Sequence, residues 1–308
     1  MKKLILAAAI AATTAGAANA ATVYEGNGLT YKLKGDFQIQ LRKDAGDDQD
    51  TDIEFDDLEL KNSVIYDLGN DMKAFGQVDF SFNSAADDSD EDSAKVEEAY
   101  LGLQFGDAAV SVGKQDLAVD DFGIENQYEE TEDQSQFAET GADNVVRFDY
   151  AADTFSVAAS TIVKAESEGD DVEGFDVLVA TSVADVELAV AYQDYDDNAG
   201  TDYDAWGVSA AFDAGFAAFG ADYSSADKGA DTDKTYGLVA IVPVAETTDV
   251  SVGYTSTDND SAEDVAEWYA NVTYKFPTQK NVKVFAEIAD TDADDVDLGY
   301  LVGMQVKF

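Results

Sequence analysis

The sequence predicts an all-β protein, a transmembrane antiparallel β-barrel of about 16 strands. Three observations carry that prediction. Apolar residues recur at every second position through most of the chain. Long acidic loops alternate with short turns. The last strand, Val296 to Phe308, keeps apolar Val296, Leu298, Tyr300, Val302, Met304, Val306 and Phe308 on one face to its final residue. Period two means a strand with one apolar and one mostly wet face.

The chain opens with the parts of a secretory signal. Lys2 and Lys3 supply a positive start, Leu4 to Ala12 an apolar run, and Ala18-Asn19-Ala20 a cleavage site. Residues 1–20 are therefore expected to be removed, leaving 21–308 as a single barrel domain. The apolar run is too short to cross a bilayer. No later segment approaches the roughly 18 apolar residues of a spanning helix. A helical bundle is excluded.

The first barrel strand sets the pattern. Leu29, Tyr31, Leu33, Phe37, Ile39 and Leu41 share one face, and Thr30, Lys32, Lys34, Asp36, Gln38, Gln40 and Arg42 share the other. The same alternation returns at 173–183 and 185–194. Long loops fall near 44–51, 84–94, 115–143, 165–172, 195–201, 225–232, 258–264 and 290–295. Short turns fall near 67–71, 106–108, 152–154, 184–185, 213–215, 245–248 and 277–280. Eight loops and seven turns join about 16 strands. The length allows about 18 residues for each strand and its connection, against ~9–11 for a membrane strand. Tyr66, Phe105, Tyr150, Phe155, Tyr274 and Phe276 near strand ends suit interfacial girdles. A soluble β-sandwich also alternates, but sixteen consecutive hairpins without disulfides or helices do not suit it.

Composition removes several function classes. There is no cysteine and no histidine. Without histidine the commonest general base, most zinc sites and every Ser-His triad are absent. Barrel hydrolases resembling the outer-membrane phospholipase or proteases rely on histidine, so no enzyme is expected. The first twenty residues hold two of the 18 bases and none of the 65 acids, which leaves 16 against 65, a balance of −49. Nucleic acid binding is excluded, because phosphate contacts need Lys and Arg. Disorder is excluded by 17 Phe, 15 Tyr and the regular alternation. The acids solvate an exposed surface and, where they line a pore, attract cations.

The final strand resembles the closing strand of bacterial outer-membrane barrels, whose last Phe is read by the barrel-assembly machinery. Phe308 is the expected assembly signal. Three further stretches resemble the general diffusion porins of Gram-negative bacteria. They are Val23 to Phe37 at the expected mature start, Glu98 to Gln115 leading into the third loop, and Asp143 to Tyr150 leaving it. The resemblance implies a homotrimer in the outer membrane of a Gram-negative bacterium, loops outside, turns in the periplasm, and a third loop folded into the pore. It also implies contact with lipopolysaccharide and outer-membrane lipid. Residues 115–143 fit that loop, and Asp116, Asp120, Asp121, Glu125, Glu129 and Glu130 supply one wall of the constriction.

The opposite wall departs from the family. General porins place arginines where this chain has Asp57 and Glu97, and a third near Gly141. Alternation sets Asp57, Glu59 and Lys61 opposite Leu58 and Leu60. Strict parity turns Glu98 inward rather than Glu97, unless a bulge intervenes. The bases left on inward positions are Lys32, Lys34, Lys61 and Arg147. The expectation is a passive, cation-selective pore for small hydrophilic solutes and ions. The alternatives are a substrate-specific channel, a soluble exported acidic calcium-binding β-protein, and a purely structural or adhesive barrel. No cofactor is expected beyond weak Ca²⁺ or Mg²⁺ at the outer loops. Asp194-Tyr-Asp-Asp-Asn198 lacks the Gly and Glu of an EF-hand, so no defined metal site is expected.

Overall fold

The computed structural model describes residues 21–46, 49–83, 94–124, 128, 135–163, 172–196, 202–293 and 296–308. The expected signal, Glu125, Glu129, Glu130 and the cores of several outer loops lie outside these residues. Strands fill most of the described chain. They are β1 (Ala21–Gly26), β2 (Leu29–Lys43), β3 (Asp52–Gly69), β4 (Met72–Ser81), β5 (Lys95–Phe105), β6 (Ala108–Asp116), β7 (Gly141–Ala151) and β8 (Phe155–Ile162). There follow β9 (Glu173–Val183), β10 (Val186–Asp196), β11 (Asp202–Asp213), β12 (Ala218–Asp227), β13 (Thr232–Ala245), β14 (Thr248–Asp258), β15 (Val265–Phe276), β16 (Gln279–Thr291) and β17 (Gly299–Lys307). No helix among the described residues is long and apolar enough to cross a membrane.

From β2 to β17 each strand pairs antiparallel with the next, and β17 returns to pair with β2. Sixteen strand positions close on themselves. Closure leaves every ladder group a partner, as a strand in hydrocarbon requires. Two-residue turns join several pairs. Asn70-Asp71 and Ala184-Asp185 hold positive φ at both positions, the twist that matches flanking antiparallel strands.

The one addition to the expected count is β1. It pairs with the first half of β2, from Gly26 opposite Leu29 to Ala21 opposite Leu33. β17 pairs with the second half, from Lys307 opposite Asp36 to Tyr300 opposite Lys43. β1 and β17 therefore lie end to end in one strand position. Phe308 sits at their junction, donating to the Gly35 carbonyl at 3.0 Å and accepting from the Gly35 amide at 2.8 Å. Its ring covers Gly35, where a Cβ would collide with it, and meets Phe37 edge-on at 5.5 Å.

The molecule is apolar outside and polar inside. Phe37, Ile39 and Leu41 are exposed on the outer face, while Asp36, Gln38 and Gln40 are buried towards the interior. Tyr66, Phe105, Phe155 and Phe276 are exposed near the turn ends of their strands. Tyr192, Trp206, Tyr236, Tyr254 and Trp268 form a second exposed band nearer the loops, on β10, β11, β13, β14 and β15. Both tryptophans thus face outward. Aromatic rings in two bands mark the two interfaces of a lipid-facing wall.

Candidate functional site

The connection between β6 and β7 enters the interior. Its first residues turn inward instead of continuing β6. Leu117, Ala118, Val119 and Phe122 are buried against Val145, Ala158, Leu178, Ala189 and Ala191 of the barrel wall. Small residues on the wall make room. Phe122 lies over Gly207, where a Cβ would stand 2.6 Å from its ring. Ile124 packs with Val239 and Tyr269.

Polar groups fix the same path. The Ala118 amide donates to Ser160 Oγ at 2.9 Å and Asp176 Oδ1 at 3.0 Å. The Tyr128 amide donates to both Glu287 oxygens, its hydroxyl pairs with Thr273 at 2.7 Å, and its ring stacks on Phe285 at 3.8 Å and 6°. On the return, Gln136 bonds Ser224 and Thr235. Gln193 accepts from the Ala138 amide at 2.7 Å and donates to the Glu139 carbonyl at 2.6 Å. The described loop residues therefore touch the inner wall at points from β8 to β16. None of these contacts reaches β17 or β2–β5, whose inner faces form the rest of the wall.

That free wall is acidic, and β-bulges make it more so. Phe37 pairs with Leu58 and Ile39 with Phe55, so Asp56 and Asp57 together oppose Gln38. Gln38 donates to Asp56, and Gln305 donates to Asp57 at 3.3 Å. Because Gln38 and Gln305 are buried on the interior face, both carboxylates belong to the inner wall. One row over, Asp79 pairs with Glu98 and Phe80 with Val96, which leaves Glu97 as the inserted residue. Glu98 is buried and Glu97 exposed.

The bases on this wall stand among these acids. Lys61 Nζ lies 2.9 Å from Asp79 Oδ2 and 2.7 Å from Glu98 Oε2. Lys307 pairs with Asp36. Glu59 is opposite Asp36, and Lys34 is directly opposite Lys61. Lys32 lies two residues nearer the turn end, opposite Ser63. Arg147 sits on β7 beneath the loop rather than in the lumen. Its guanidinium donates to the Asp116 and Leu117 carbonyls at 3.1 and 2.9 Å, to Asp121 at 2.8 Å and to Asp149 at 3.1 Å.

On the loop, Asp116 ends β6 and Asp120 lies in the 3-10 turn Ala118–Asp121. Both side chains are exposed to the interior, whereas Asp121 is half-buried against Arg147. The Asp120 carboxyl is pushed up to about 7, first because surrounding protein displaces water, then because Asp116 and Asp121 add their charges; Glu98 on β5 adds a smaller share. The Tyr128 hydroxyl is also raised by burial, to about 12.

Sequence reasoning missed Asp56. An extra residue in a strand breaks the parity by which faces are assigned, and two adjacent acids flanked by apolar neighbours give only a weak hint of it. It also missed the wall partners Asp36 and Asp79 as site residues.

A family model described as Gram-negative porin matches residues 7–296. Porin-like protein H of Photobacterium profundum is 25% identical over 337 residues, spanning 100% of both chains. OmpT of Vibrio cholerae resembles the chain in several solved forms. A loop L8 deletion mutant gives a TM-score of 0.79 at 19% identity, covering 92% of this chain and 100% of that one. A trimer form gives 0.75 at 18% identity, again covering 92% and 100%. An anion-selective porin from Comamonas acidovorans gives 0.74 at 14% identity, covering 91% and 100%. At these identities the solved structures speak for the fold, a closed β-barrel, and the family match speaks for the kind of protein. The chain belongs to the Gram-negative porins, outer-membrane channels rather than enzymes.

Proposed function

We propose that this porin is a passive, cation-selective channel for small hydrophilic solutes and ions. The observation that supports it is the sign of the charge on both sides of the passage. The loop presents Asp116 and Asp120, and the facing wall presents Asp36, Asp56, Asp57, Glu59, Asp79 and Glu98. Lys61, Lys307 and Arg147 each hold at least one carboxylate within ion-pair distance. A lining with net negative charge in a confined aqueous space concentrates cations and repels anions.

The reversal potential of the purified protein in a planar bilayer under a KCl gradient tests this reading. Cation preference that weakens as salt rises supports it, since screening shortens the reach of the wall charges. Anion preference means that Lys32 and Lys34 dominate the passage, and the reading fails. A homotrimer is part of the same proposal, supported by the trimer form of the Vibrio cholerae relative.

A further inference from the structure

The Asp79–Glu98 pair has the arrangement of a cation site already filled by a side chain. Lys61 reaches it from β3, the strand next to β4, and places one ammonium within 2.9 Å of a carboxylate oxygen from each of two further strands. Glu98 is held from the other side by Gln77, which donates to the same oxygen at 2.6 Å. Gln77 is itself held by Ser63 at 2.9 Å. Asp79 is 1% exposed, and its second oxygen, Oδ1, has no hydrogen-bond partner among the described residues. A carboxylate this buried with an unused oxygen is ordinarily costly to keep. The three backbone positions are in register, Lys61 opposite Asp79 and Asp79 opposite Glu98, so the strands fix the geometry.

We infer that Lys61 is a tethered cation occupying a divalent-cation site in the constriction wall, and that it sets the preference of the pore for monovalent over divalent cations. The inference rests on the cation-selective reading and deepens it. With Lys61 present, two carboxylates and one ammonium leave a single net negative charge, which attracts K⁺ or Na⁺ loosely and lets it leave. Without the ammonium, two carboxylates would face one point from fixed strands. Mg²⁺ typically takes one or two carboxylates and keeps several waters, and Ca²⁺ accepts oxygen ligands at about 2.3–2.6 Å. Either ion suits the position of the ammonium, whose side chain is 26% exposed and so leaves a path for water. A pore conducts only when its sites bind weakly enough to release the ion. A divalent ion held there would therefore obstruct the passage of monovalent ions.

The test uses the purified full chain in planar bilayers. K⁺ current is followed while MgCl₂ is added, for the wild type, K61M, K61R and K61M/E98Q. Heat-modifiable migration confirms that each variant is folded, and K61Q replaces K61M if that variant does not assemble. Half-block of K61M is expected at an Mg²⁺ concentration about tenfold below that of the wild type, equivalent to about 1.4 kcal/mol. K61R should behave as the wild type, and K61M/E98Q should lose the added sensitivity. Equal Mg²⁺ responses of the wild type and K61M overturn the assignment of Lys61 alone. A wild type without K⁺ over Cl⁻ preference overturns the broader selectivity reading instead, so the two failures are separable.

Discussion

Arg147 on β7 donates to Asp121 Oδ2 at 2.8 Å and so ties the strand that leaves the third loop to the turn that begins it. The same guanidinium holds the carbonyls of Asp116 and Leu117. Arginine offers five donors in a rigid fork, and here they are shared between the start of the loop and Asp149 on its own strand. Arg147→Met leaves Asp121 and Asp149 without their shared cation, a loss on the order of 3 kcal/mol for a buried pair. The variant is expected to lose heat-modifiable migration at a lower temperature and to show noisier single-channel current. Unchanged noise would mean that Leu117, Ala118 and Phe122 hold the loop without it.

Asp120 gives the channel a pH response above the usual carboxylate range. Its raised value means that the proton returns as pH falls through about 7, so negative charge is lost from the loop while exposed acids are still ionised. Cation preference is expected to fall between about pH 8 and 6. Asp120→Asn is expected to reduce that upper step and to leave the lower one from ordinary carboxylates. Reversal potentials across this range for the two proteins decide it; identical profiles place the response elsewhere.

Asp57 stands at the bulge, bonded to Gln305 on the interior face. Asp57→Arg replaces one negative charge by one positive charge. At effective dielectric constants near 20, a charge a few ångströms from a passing ion is worth kilocalories, and screening reduces this to a moderate effect. The cation-to-anion permeability ratio is expected to drop roughly threefold. No change would show that permeating ions pass away from this wall.

Gly207 lets the tip of the Phe122 ring approach β11 closely. Gly207→Val introduces a branched side chain where even a Cβ is too close. Overpacking of this kind typically costs about 1–3 kcal/mol, relieved here by moving the loop into the lumen. A lower single-channel conductance with normal assembly is the expected result. A higher conductance would mean that the loop detaches instead.

Much of the barrel can be read from residue order alone, because a strand face is a local property. Phe37, Ile39 and Leu41 declare lipid, and Asp36, Gln38 and Gln40 declare water, from spacing of two. Turn positions such as Asn70-Asp71 are likewise local. The site is less legible for two physical reasons. Bulges at Asp56-Asp57 and at Glu97 insert one residue, and nothing beside them in the sequence announces which side of the bulge keeps the old face. The route of the third loop depends on distant partners, as when Tyr128 stacks on Phe285 and bonds Glu287. The sequence offers Arg147 as an inward base, and only the packed loop shows that its bonds go to the loop.

The shared position of β1 and β17 along β2 has a consequence for how the molecule comes into being. Asp36 finds Lys307, and Gly35 finds Phe308, only after everything between them has been made. Pairings so remote along the chain are slow to form, and until they do, the row of unpaired amides on β2 is an invitation to neighbouring molecules. The surplus of acids answers that hazard. Like charges on every copy keep unfinished chains apart in water, so the composition that colours the finished passage also protects its precursor.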